Sequence, residues 1–210
     1  MTAVTAEVSA ALVPHNSVRY LPACLSSLQQ QRRNLRIIVV DNASRSEEQP
    51  RFSPGDDGEI IRNSWNRGFA PAVNQGLARV RTPYVLVLNP DVRLLPEALS
   101  RMLSFLSHTP NVAAVSPRFW WDTERTVLLP LTGEPTLTRV VLRAFAANSA
   151  LVQQMVDRWL IRQARRWWFA QHAVAVRAIS YGCVLLPSAA LARIGPLDAR
   201  FPFYYEEVEW

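Results

Sequence analysis

Short apolar runs alternate with stretches in which apolar residues return every third or fourth position, and this alternation organises the chain from Val8 to Val115. Val8–Val13 reads as a buried strand ended by Pro14, since proline cannot donate to a sheet ladder. From Val18 to Gln31, Leu21, Cys24, Leu25 and Leu28 share one side of a helix, with Asn16 or Ser17 as its cap. Leu35–Val40 is a second strand, apolar apart from Arg36, and the acidic, Pro- and Gly-bearing stretch 44–58 is a surface loop. Glu59–Arg62 then reads as a strand, Phe69–Val80 as a helix, Tyr84–Leu88 as a strand, Pro96–Ser107 as a helix and Val112–Val115 as a strand. Strand and helix alternating in this way predict an α/β fold, a mostly parallel sheet with helices on both faces, because parallel neighbours need a crossover connection.

After Phe119 the pattern changes. Residues 120–170 hold Trp120-Trp121 and Arg165-Arg166-Trp167-Trp168 around a helix predicted over Leu151–Trp168. Its Val152, Met155, Val156, Trp159, Leu160 and Trp167 recur at helical spacing, while Arg158, Arg162, Arg165 and Arg166 fall largely elsewhere. Strand-like runs resume at Val174–Val176 and Cys183–Leu186, with a short helix at Ser188–Ile194.

Composition narrows the class. A chain of 210 residues that is 49% hydrophobic and 19% charged fits one compact domain and excludes a disordered tail protein. All 23 basic residues are arginines, against 17 acidic ones, so the net charge is +6 at pH 7 and its positive part is permanent. That balance points to an anionic partner: nucleic acid, a phosphorylated small molecule or an acidic lipid surface. Cys24 and Cys183 lie far apart in sequence with no clustered histidine, which indicates neither a disulfide framework nor a zinc site and makes a reducing cytoplasm the expected compartment. Glu7, His15 and Asn16 break the N-terminal apolar stretch, so no signal peptide is expected, and no apolar run reaches the roughly 18–20 residues that cross a bilayer.

In an open parallel sheet, ligands bind beyond the carboxyl ends of the strands. Those ends are polar here: His15-Asn16-Ser17, Asp41-Asn42-Ala43-Ser44, Asn63 through Asn66-Arg67-Gly68, and Asn89-Pro90-Asp91. Taken singly, each is an ordinary turn or cap; four on one rim point to a site. A dinucleotide fold is disfavoured because no GxGxxG follows the first strand, and a Walker loop needs the lysine this chain lacks.

The ordered runs Ile37-Ile38-Val39-Val40-Asp41-Asn42-Ala43-Ser44, Asn66-Arg67-Gly68-Phe69-Ala70 with Asn74-Gln75-Gly76, and Leu88-Asn89-Pro90-Asp91-Val92 closely resemble family 2 glycosyltransferases of the GT-A fold. Tyr181-Gly182-Cys183-Val184-Leu185-Leu186, Ile194-Gly195-Pro196-Leu197-Asp198 and Phe203-Tyr204-Tyr205-Glu206-Glu207-Val208-Glu209-Trp210 look like the second half of the pattern, and the subgroup most resembled is the rhamnosyltransferase-like one. The matches cover the chain except 120–170.

The resemblance implies a Rossmann-like GT-A domain over 1–210, with a nucleotide-sugar half at 1–119 and an acceptor-side half at 120–210 carrying a helical insertion near 135–170. It implies an inverting transfer from a dTDP-, UDP- or GDP-linked sugar, rhamnose being the subgroup's suggestion, to a hydroxyl of a polysaccharide or lipid-linked oligosaccharide in cell-envelope or surface glycan synthesis. Asp91 matches the last aspartate of a DxD-type motif and is the metal-ligand candidate for Mg²⁺ or Mn²⁺; Asn89 stands where other members have Asp. The competing reading of Asp91 is a helix-capping Asx turn. Asp41 matches the residue that contacts base or ribose, and Asn16, Asn42, Ser44, Asn66, Arg67, Gly68 and Asn89 would line the same pocket, with Arg67 able to fork onto phosphate. Structural turns remain the rival account of Asn66 to Gly68.

Glu207 matches the general base, with Glu206 the second candidate. Members usually place aspartate there. Glutamate is one methylene longer and moves the base about 1–1.5 Å unless the backbone compensates. The acceptor-side segment has two open readings, an amphipathic helix at 138–168 lying on the inner face of the plasma membrane, or a lid with a solvated basic face. The alternative to an enzyme is a catalytically silent nucleotide- or membrane-binding member. No nucleic-acid motif accompanies the arginines. Family members normally continue past the base, so truncation at Trp210 is expected.

Overall fold

A computed structural model describes residues 6–201 apart from 32, 52–57, 130–140, 142, 143, 145, 147, 148, 177, 178 and 181, and, within the helix at 150–168, not the side chains of 160, 163, 164 and 166–168. The chain packs as two compact units, residues 1–117 with 180–210, and residues 118–179.

The first unit is built on five strands: β1 (Val8–Leu12), β2 (Leu35–Asp41), β3 (Glu59–Arg62), β4 (Tyr84–Leu88) and β5 (Cys183–Pro187), in the order β3-β2-β1-β4-β5. The first four run parallel and β5 runs antiparallel to β4, so the predicted mostly parallel sheet is the one formed. Every residue of β1 is buried, which explains why the strands read as continuous apolar runs: both faces are covered. Helix α1 (Leu21–Gln29) precedes β2, α2 (Phe69–Leu77) precedes β4, and α3 (Ala98–His108) follows it. Helix α2 packs on β1 and β2. It comes close because Gly76 faces them; a Cβ there would stand 3.4 Å from Ala11 Cβ and 3.5 Å from Val40 Cγ2. The buried Gln31 joins α1 to α3, its amide donating to Ser27 O (3.0 Å) and Leu95 O (3.1 Å) while its carbonyl accepts Leu99 N (3.1 Å).

Several boundaries differ from the sequence reading. Helix α1 starts at Leu21, with Pro22 in its first turn and no side-chain cap. A proline fits that turn because its missing N–H would have had no helical partner; neither Asn16 nor Ser17, the two expected caps, caps the helix, and Asn16 is bonded elsewhere. Helix α2 stops at Leu77, short of Val80, and α3 begins at Ala98 after Glu97 at φ 62°. Val112–Val115 is not a strand: Val115 alone bridges to Leu185, with N···O distances of 2.8 and 2.9 Å. Hydrogen-bonded antiparallel pairs recur at every second residue. The next ones would set Ala113 against Pro187 and Pro117 against Cys183, and each contains a proline without a donor. Val174–Val176 also forms no strand; two valines and an exposed alanine bury too little to hold one.

The second unit contains a turn closed by Trp121 N to Val127 O (2.8 Å) and Leu129 N to Phe119 O (2.9 Å). Asp122 organises it. Its carboxylate accepts Thr126 N (2.8 Å), Thr126 Oγ (2.6 Å) and Val127 N (2.7 Å), and these bonds, the threonine hydroxyl first, hold its pKa down to about 2. Helix α4 (Ala150–Trp168) follows, one residue longer than predicted, and α5 (Ser188–Ile194) closes the first unit after β5. Among the described residues no helix is long and apolar enough to cross a membrane.

Candidate functional site

The carboxyl ends of β1, β2 and β3 are tied together by one residue, its backbone reaching the end of β1 and its side chain the turn after β3. Asn42, 3% exposed, donates its backbone N–H to Pro14 O (3.0 Å) and accepts His15 Nδ1–H on its backbone oxygen (2.9 Å). Its side-chain amide donates to Asn66 Oδ1 (2.8 Å) and Gly68 O (3.0 Å), while Oδ1 accepts Arg67 N (3.0 Å) and Asn63 Nδ2 (3.1 Å). Two donors and two acceptors exhaust an amide side chain. Asn42 therefore orders the rim and has no capacity left for a ligand in this arrangement.

Around it, each sequence candidate is placed. Asp41, 1% exposed, ends β2; its Oδ1 accepts Ser44 N (3.0 Å) and its backbone oxygen accepts Asn63 N (2.9 Å). This Asx turn puts Ala43 at φ 63°, a left-handed conformation costing a non-glycine residue about 1 kcal/mol. Ser44 Oγ accepts Asn16 N (3.0 Å), and Asn16 Oδ1 accepts Arg45 N (3.0 Å). Asn16 itself sits at φ 49°. The other ring nitrogen of His15, Nε2, lies 3.3 Å from Asn16 Nδ2. Ser17 Oγ is buried without a hydrogen-bond partner among the described residues.

Asn66 Oδ1 also accepts Gly68 N (3.0 Å), and Gly68 has φ 87° and ψ 170° immediately before α2, a region open essentially to glycine alone. The backbone of 66–68 is thus a structural turn. The Arg67 guanidinium is exposed and lies over the Trp65 ring, 5.1 Å from its centroid. Asn74, Gln75 and Gly76 divide their work: Asn74 exchanges hydrogen bonds with the Leu197 backbone (2.8 and 2.9 Å), Gln75 with Asn63, and Gly76 admits the sheet. The Asn63–Gln75 pairing escaped the sequence reading; an amide after β3 and another on the next helix were its signal.

At the end of β4, Asn89 N donates to Gly182 O (3.0 Å), and Asn89 O accepts Val92 N (3.1 Å) and the Cys24 thiol (3.8 Å). Burial, with the charge of Asp91 adding to it, pushes the Cys24 thiol up to about 12, and burial raises Cys183 as well; both are inert free thiols. Asp91 is exposed and, among the described residues, its carboxylate accepts no hydrogen bond and forms no ion pair. It does not cap α3, which starts at Ala98. A carboxylate is the hard oxygen donor that Mg²⁺ or Mn²⁺ takes. No cluster of three or more His, Cys, Asp or Glu residues able to hold a metal occurs among the described residues; the Asp91 carboxylate by itself fits a cation that also binds phosphate and water. Glu206 and Glu207 lie outside the described residues.

The profile of glycosyl transferase family 2 matches residues 9–161, and the chain belongs to that family. It is 27% identical over 178 residues to the low-salt glycan biosynthesis hexosyltransferase Agl10 of Haloferax volcanii, spanning 82% of this chain and 51% of that protein. It is 31% identical over 103 residues to an uncharacterized glycosyltransferase of Haemophilus influenzae, 48% of this chain and 35% of the other. Its fold is GT-A; a solved mannosyltransferase of Pyrobaculum calidifontis, PcManGT in complex with GDP-Man and Mn²⁺, superposes with a TM-score of 0.59 at 16% identity over 94% of this chain and 49% of that one. The chain thus spans about half the length of the Haloferax and Pyrobaculum proteins.

Proposed function

We propose that the chain carries the donor site of a metal-assisted, inverting glycosyltransferase that moves a hexose-type sugar from a nucleoside diphosphate to an acceptor hydroxyl. The observation that carries this reading is Asp91, an exposed carboxylate with no hydrogen-bond or ion-pair partner among the described residues, standing just beyond the end of β4 on the same carboxyl edge of the parallel sheet as the β1, β2 and β3 ends that Asn42 ties together. Asp41, held rigid by its turn, contacts the nucleoside in this account, and Arg67 is the fork for phosphate. Asp91, with Asn89 beside it, holds Mg²⁺ or Mn²⁺, which neutralises charge on the departing diphosphate when bound. Glu207 takes the proton of the attacking hydroxyl, with Glu206 as the second candidate. The acceptor is a polysaccharide or lipid-linked oligosaccharide, and dTDP-rhamnose heads the donors to test.

A ligand that binds only the folded chain raises its melting temperature by mass action. A thermal-shift series with dTDP-rhamnose, UDP-sugars and GDP-sugars, each with and without Mn²⁺, is expected to show a rise for one nucleotide class that grows with the metal. No rise for any class, at donor concentrations up to the millimolar range, contradicts the reading. Stabilisation without turnover, unchanged by Glu207→Gln, would instead support a silent donor-binding member.

A further inference from the structure

We infer that the unit formed by residues 118–179 docks on an anionic lipid bilayer through the exposed face of α4. Two distributions converge on it. Of the fourteen large apolar residues exposed among the described residues, ten lie in this unit. The same segment has nine arginines and four acids, a net +5 of the chain's +6, so the rest of the molecule is nearly neutral. Exposed apolar surface and net positive charge are therefore both gathered in this unit.

On α4 the two are adjacent. At 3.6 residues per turn, Leu151, Met155 and Trp159 form one ridge, and Arg158, Arg162 and Arg165 form the next. Leu151 is 75% and Met155 71% exposed, Trp159 is exposed, and so are all three arginines. Asp157, the one acid on the helix, is only half-exposed. The Arg165 guanidinium lies 5.8 Å from the centroid of the exposed Phe169 ring, keeping cation and aromatic side by side at the end of the helix. An apolar ridge flanked by arginines is how a helix lies in the headgroup layer: the ridge enters the acyl boundary and the guanidinium groups meet lipid phosphates.

Other occupants fit less well. A second copy meeting this face across a twofold axis would bring arginine ridges together, and a nucleic acid would use the arginines but leave Leu151 and Met155 in water. The inference does not depend on the donor reading. Vesicle binding and donor stabilisation are separate measurements, and either can fail alone.

Sedimentation of the 210-residue chain with vesicles tests it, using phosphatidylcholine alone and phosphatidylcholine with phosphatidylglycerol. Binding to the anionic vesicles only, with a blue shift of tryptophan emission, is expected. At about 1 kcal/mol per arginine near an anionic surface, Arg158→Gln, Arg162→Gln and Arg165→Gln together lower the partition coefficient about 100-fold. Leu151→Ser with Met155→Ser lowers it about tenfold or more through lost apolar burial. These positions are exposed, and circular dichroism confirms that the variants fold. No binding to anionic vesicles, equal binding to both vesicle types, binding unaffected by either set of substitutions, or a dimer in light scattering that Met155→Ser dissociates would overturn it.

Discussion

Asn63 and Gln75 exchange a pair of side-chain hydrogen bonds, Asn63 Nδ2 to Gln75 Oε1 at 2.8 Å and Gln75 Nε2 to Asn63 Oδ1 at 3.0 Å. The pair fastens the end of β3 to α2, and Asn63 carries the link on to Asn42. Replacing Gln75 with leucine keeps volume but leaves both Asn63 amide groups short of a partner. Stability is expected to fall by about 1–3 kcal/mol, read as a lower urea midpoint at unchanged slope. An unchanged midpoint would mean that water serves Asn63 equally well.

Asn42→Asp is the sharper test of the rim. The substitution is nearly isosteric, yet it turns the one group donating to Asn66 Oδ1 and Gly68 O into an acceptor. A cost of about 2–3 kcal/mol is expected, from oxygens facing oxygens in a buried place. Asn42→Ala, which loses the bonds without adding repulsion, should cost less, and the order of the two midpoints checks the assignment of the amide.

Much of the fold was legible because both faces of the sheet are buried, so Val8 to Leu12 and Val85 to Leu88 carry no polar alternation to confuse the reading. Local rules failed where a distant partner competed for the same group. Asn16 has cap chemistry, but its side chain and backbone N–H are taken by Arg45 N and Ser44 Oγ across the rim. Val115 lost its strand to prolines on both sides of the pairing, one of them in β5. The sequence shows the candidate residues singly; that Asn42 is saturated, and that Asp91 has no hydrogen-bond or ion-pair partner among the described residues, is a property of the folded strands. At Leu160, Arg166 and Trp167 the predicted helix was formed, while the side chains lie outside the described residues.

The turn at 119–129 should respond to acid on its own. Asp122 is held at about 2, below the ordinary carboxylate value. A depressed pKa contributes stability that is present above the unfolded value near 4 and is lost as pH falls through about 2. The amide of Val127, which donates to Asp122, should therefore be protected in hydrogen exchange at pH 5 relative to the same amide in Asp122→Asn, with the difference vanishing as pH approaches 2. A carboxyl signal for Asp122 titrating near 4 by NMR would contradict the assignment.

Asp91 is the residue on which the proposed donor site turns. The direct measurement is calorimetric titration of the best-stabilising nucleoside diphosphate into the chain with Mn²⁺, repeated with Asp91→Ala and with Mn²⁺ removed by chelation. Asp91 is exposed and, among the described residues, forms no hydrogen bond, so the variant should keep the parent's melting temperature within about a degree, as surface substitutions do. The account predicts at least tenfold weaker binding on either change, and no further loss when the two are combined. Equal affinity in parent and Asp91→Ala, or a chelator effect that persists undiminished in the variant, would contradict it.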